Sequence, residues 1–153
     1  MKRKLILLLC LLLVCLASVA AAQNLEKLGS TAHGDFYIDK DNVQPLRQGG
    51  KPFLLVQAEL HYNQETLPKL QAISPELATV VSVTQIYLYN NDGTQVALLK
   101  SLYTDKDDKV IYTTDAAPEL KPVKSRLQML LYEKALAQLE QQKRIADMMK
   151  QKY

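Results

Sequence analysis

Cysteine is nearly missing from this 153-residue chain, and tryptophan is missing altogether. The only two cysteines, Cys10 and Cys15, lie in the apolar run near the N-terminus. The rest of the chain therefore has no disulfide, no thiol nucleophile and no thiolate metal ligand, and its stability must come from an ordinary core. Histidine is equally scarce. His33 and His61 stand alone, on a loop and on the polar side of an alternating stretch, with no i, i+4 partner to seat a metal. Five glycines are scattered without the spacing of a phosphate-binding loop. No nucleophile stands beside a conspicuous base, and the acids fall mainly in turns and near the C-terminus. The expectation is a protein without catalytic function, cofactor or metal.

The N-terminus carries the clearest address. Lys2, Arg3 and Lys4 form a positive segment, Leu5 to Leu16 an apolar run, and Ala20 and Ala22 the small side chains that a signal peptidase accepts. Residues 1–22 are expected to be a signal peptide cleaved before Gln23, and the remainder to be secreted, in the periplasm or at the cell surface. An uncleaved anchor would need about 18 apolar residues. The run barely reaches that length, and its alanine-rich end favours cleavage. Lipidation needs a small residue just before the modified cysteine, where Leu9 and Val14 stand.

Cleavage changes the charge balance. Without Lys2, Arg3 and Lys4 the 19 Lys+Arg fall to 16, equal to the 16 Asp+Glu. A neutral domain lacks long-range attraction to phosphate backbones, which argues against DNA, RNA or a strongly anionic membrane as the main partner. Its remaining 131 residues make one domain by length.

Turn signals along the chain recur at strand spacing. Asp35 to Ile38 is β-prone, and Asp39 to Asn42 reads as a turn. A breaker-rich loop from Pro45 to Pro52 follows. Leu54, Val56, Ala58, Leu60 and Tyr62 then alternate with Leu55, Gln57, Glu59, His61 and Asn63, which predicts a strand with one face in a core and the other mostly in water. Pro68 and Pro75 bracket either one helical turn or a loop. Thr79 to Tyr89 is nearly all β-branched or aromatic, Asn90 to Gly93 supplies a tight turn, and Val96 to Thr104 returns. A turn at Asp105 to Lys109 leads into Val110 to Thr114, completing a three-stranded meander.

After Pro122 the period changes. Ser125 and Gln128 fit a capping box, and Leu127, Leu130, Leu131, Ala135 and Leu139 recur at helical spacing. The fold class is α+β, with about five antiparallel strands packed on a long C-terminal helix. Residues 23–140 form the domain, and residues 141–153 a charged helical extension or a frayed tail. An unbroken helix from Lys124 to Lys150 would run roughly 40 Å, longer than the sheet needs for cover.

The segments LGSTAHGDFYID, IYLYN with its hairpin, SLYTDKDDKVIYT and SRLQMLLYEKAL together resemble the surface-adhesin protein E family of small secreted bacterial domains, over about Leu25 to Leu139. The resemblance implies an antiparallel sheet on a C-terminal helix and attachment to host surface or matrix proteins. Leu25 stands near the position of the family's tryptophan, and the family's cysteine pair is missing. No binding residue carries over.

Candidate contacts are few. Tyr87 and Tyr89 share one strand face, and tyrosines on a sheet surface make rigid contact area for a host or envelope protein. Ile145, Met148 and Met149 would form an apolar patch on the C-terminal extension, suited to docking an envelope partner or to pairing two copies through the helix. These give two functional expectations: an adhesin-like binding module working through a sheet face, or a structural or assembly protein of the envelope working through the helix. Asp105, Asp107 and Asp108 fail as a calcium loop, since Lys109 and Ala116 occupy the fifth and twelfth positions.

Overall fold

The computed structural model describes residues 24–151. The expected signal peptide, both cysteines and Tyr153 lie outside those residues. β1 (Leu25–Ser30), β2 (Gly34–Gln48), β3 (Lys51–Tyr62), β4 (Ser82–Asn90), β5 (Gln95–Thr104) and β6 (Val110–Asp115) pair in sequence order as an antiparallel meander. β7 (Lys121–Pro122) pairs with the first residues of β5, in line with β6. Between β3 and β4 lie a short helix, α1 (Leu67–Gln71), and a 3-10 turn at Pro75–Leu77. A 25-residue helix, α2 (Arg126–Lys150), closes the fold. The fold is α+β, as the change of period implied, with six full strands rather than five.

The additional strand and the length of β2 depart from the sequence reading. Asp39 to Asn42 does not reverse the chain but forms a bulge inside β2, between the pairs Ile38–Ala58 and Val43–Val56. The local bonding expected of a turn is present. The Asp39 carboxylate accepts the Asp41 N–H at 3.1 Å and the Asn42 side-chain amide at 2.7 Å. It serves a kink within the strand, as extra residues in a paired strand do. Chain reversal falls instead to Gly49 and Gly50, at φ +56° and +76°, both in the left-handed region that a two-residue hairpin needs. Pro45 and Pro52 fit within strands because β1 ends opposite Asp39 and β4 ends opposite Phe53. That arm of the sheet has free edges on both sides, where a missing N–H is tolerated.

The strands bury apolar residues on both faces. One face presents Phe36, Ile38, Val56, Ala58, Tyr87, Tyr89 and Val96 to Leu131 and Ala135 of α2. The other holds a smaller core of Leu55, Ile86, Leu88, Ala97 and Leu99, with Leu46, Phe53 and Leu120 packed against it. The second face is therefore not mostly in water, as alternation in β3 suggested. Leu120 reaches it because β7 ties the preceding loop back onto β5.

Ser125 caps α2, its hydroxyl accepting the Gln128 N–H at 3.0 Å. Leu127 then packs close to Gly29, and Lys134 pairs with Glu26 at 2.6 Å. Seven helix residues and three strand residues each rise about 10 Å, so α2 runs antiparallel to β1. Tyr132 lies against Gly93, at φ +71° in the β4–β5 turn, and its hydroxyl donates to the Asn91 carbonyl at 2.6 Å.

Candidate functional site

Tyr87 and Tyr89 share a strand face as expected, but that face lies beneath α2. Their exposures are 8% and 0%. The Tyr89 hydroxyl donates to the Gln128 carbonyl of the helix at 2.8 Å, and the Tyr87 hydroxyl to Gln85 Oε1 at 2.9 Å. Burial pushes the Tyr87 hydroxyl up to about 12 and raises that of Tyr89 as well. The pair is thus core rather than a contact patch. The helical face carrying Leu131 and Ala135 must bury against the larger apolar face of the sheet, and the tyrosines occupy its middle.

The residues of the C-terminal extension are placed differently. α2 continues unbroken to Lys150. Leu139 is the last helix side chain packed against the core, and Ile145, Met148 and Met149 are 45%, 59% and 62% exposed. Five charged residues, Glu140, Lys143, Arg144, Asp147 and Lys150, fall within about 120° of the helix circumference. The opposite side carries only Gln141, Gln142, Ile145, Ala146, Met148 and Met149. That uncharged side continues the stripe of Leu131 and Ala135, so the seam buried by the sheet runs on into solvent.

The sheet also assembles a polar cluster that sequence reasoning placed in water. Glu59 is buried, and its Oε2 lies 2.8 Å from Nε2 of half-exposed His61. The Thr84 hydroxyl approaches Glu59 Oε1 at 3.5 Å, and the Tyr37 and His61 rings are 4.7 Å apart. Asp39, fully buried, also accepts the Gln57 side-chain amide at 3.2 Å. Desolvation raises the Asp39 carboxyl pKa. The hydrogen bond to Glu59 raises that of His61, assisted by the nearby charges of Asp108 and Asp35. The alternation Gln57, Glu59, His61 was the available signal. Burial of Glu59 depends on β2 and β4 pairing on either side of β3, which the periodicity of single strands does not specify. Each carboxylate is occupied by protein donors, which suits anchoring of the sheet rather than substrate binding. Among the described residues no three His, Cys, Asp or Glu side chains gather as a metal site.

His33 sits in the β1–β2 loop, beside an open groove of about 560 Å³ that Tyr62, Glu65, Lys69 and Ile73 also line. Asp105 closes the β5–β6 turn, its carboxylate accepting the N–H groups of Asp107 and Lys109 at 2.9 and 3.0 Å. The fold defines the class: an antiparallel six-stranded meander, with a short seventh strand, on a C-terminal helix that outlasts its own packing. No family model, curated protein or solved structure matches the chain.

Proposed function

We propose that the chain is a secreted, non-catalytic protein-binding module of a bacterial cell envelope, engaging its partner through the free end of α2. One observation carries this reading. Ile145, Met148 and Met149 stand exposed on a helix face from which every charged residue between Glu140 and Lys150 is excluded. Such a face fits an uncharged apolar groove on an envelope protein, and methionines adapt readily to an irregular one. The adhesin-like alternative rests on the sequence resemblance and needs a sheet surface other than Tyr87 and Tyr89.

The test has two arms. Protease digestion of intact cells separates display on the outer surface from protection in the periplasm. Cross-linking in cells then compares the whole chain with one lacking residues 141–153. Loss of a specific cross-linked complex with unchanged fold supports the helix reading. An unaffected complex refutes it. Digestion on intact cells together with retained binding to a host matrix protein transfers the function to the sheet.

A further inference from the structure

The edges of the sheet are treated unequally. β1 is flanked by α2 through the Glu26–Lys134 pair at 2.6 Å. The arm of β2 beyond β1 carries Pro45 and Arg47, and the line of β7 carries Pro118, Lys121 and Pro122. Proline and basic residues are the usual means of blunting an edge. β6 has none of them in VIYTTD, and Val110 and Tyr112 are 46% and 40% exposed; the Pro75–Leu77 turn packs against β6 but makes no backbone hydrogen bond to it. Among the described residues, no backbone group outside β5 bonds to β6.

We propose that β6 pairs antiparallel with β6 of a second copy of this chain, about a two-fold axis through Tyr112. The charges select this register. With Tyr112 opposite its counterpart, Lys109 falls opposite Asp115 of the second copy, and the same pair repeats on the other side of the axis. Val110 meets Thr114, and Ile111 meets Thr113, all residues that favour strands. Tyr103 already stacks on its cross-strand partner Tyr112 with ring centroids 5.7 Å apart. Pairing would continue that stack across the axis as a ladder of four tyrosines, a cross-strand arrangement that stabilises sheets. Two six-residue strands bury less than the roughly 800 Å² per partner of a standard interface, so the dimer is weak and its formation concentration-dependent.

Sedimentation velocity from micromolar to millimolar concentration tests this, using the protein in the form its expressing cells leave it. A monomer–dimer equilibrium is expected. Tyr112→Lys, which places two ammonium groups on the axis, should leave a folded monomer. Lys109→Asp and Asp115→Lys should each weaken the dimer about tenfold, since each turns two cross-strand attractions into repulsions. Together they should restore it to near the wild-type constant. Lys109 and Asp115 are about 20 Å apart along one strand, so recovery can arise only between chains. Asp115→Lys also loses the Lys100 contact of 3.6 Å, which Lys109→Asp does not replace, so a thermal scan separates that effect. With dissolved oxygen as the oxidant, two Tyr112→Cys chains should join through a disulfide between the introduced thiols, since opposed antiparallel residues lie within disulfide reach. A monomer at every concentration overturns the proposal. So does a dimer that survives Tyr112→Lys, or one that disappears only when residues 141–153 are removed.

Discussion

Tyr89 offers the sharpest test of the arrangement of helix and sheet. The side chain is fully buried among Val56, Tyr87 and Leu131, and its hydroxyl donates to the Gln128 carbonyl at 2.8 Å. Tyr89→Phe removes that donor alone. The carbonyl retains its place in the helical ladder, so the loss should be about 1 kcal/mol, the net worth of one hydrogen bond. At this chain length that lowers the thermal midpoint by about 4 °C. Tyr89→Ala removes the ring as well and opens a cavity beneath α2. Truncation of a large buried aromatic costs about 3–5 kcal/mol, a large share of the roughly 5–15 kcal/mol that holds a domain together. Urea unfolding followed by far-UV circular dichroism measures both variants. The two losses should differ about fourfold, with the alanine variant partly unfolded at 37 °C. Equal losses, or an alanine variant as stable as wild type, would refute the placement of Tyr89 under the helix.

Other outcomes follow from single contacts. His61 has its pKa raised in the folded protein by Glu59, so its stabilising contribution is full below about pH 6.5 and disappears as pH rises through the folded value. Half-exposure keeps this below about 1 kcal/mol. His61→Gln should flatten the urea midpoint between about pH 6 and pH 8, and an unchanged slope would assign the effect elsewhere. Gly93→Ala forces a side chain into a positive-φ turn and onto the Tyr132 ring. It should cost about 2–3 kcal/mol, measured by thermal unfolding, and Tyr132→Ala in the same chain should remove the steric part of the added loss. Ser125→Ala removes the cap of α2 and should lower stability by about 1 kcal/mol. A change under a few tenths would mean that the Gln128 N–H finds another acceptor.

The sequence alone determined the class of the fold. Alternation in Leu54 to Tyr62, the β-branched run before Asn90 and the 3.6-residue period after Ser125 are local periodicities, and local periodicity decides which residues share a face. It also fixed Gly93 as a turn residue and Ser125 as a cap, because those demands are met within four residues of chain. Tertiary structure decided what each face meets. Nothing local told Asp39 to bulge rather than turn, since the same side-chain bonds serve both, and only pairing with β3 on either side of the kink selects the strand. Glu59 shares the polar side of its strand with His61, yet only Glu59 is buried, because burial is a property of the assembled sheet rather than of one strand. Tyr87 and Tyr89 share one face, as their spacing implies, but α2 covers that face. Which face a helix covers depends on the summed apolar area of strands far apart in sequence, and that sum exists only once they are side by side.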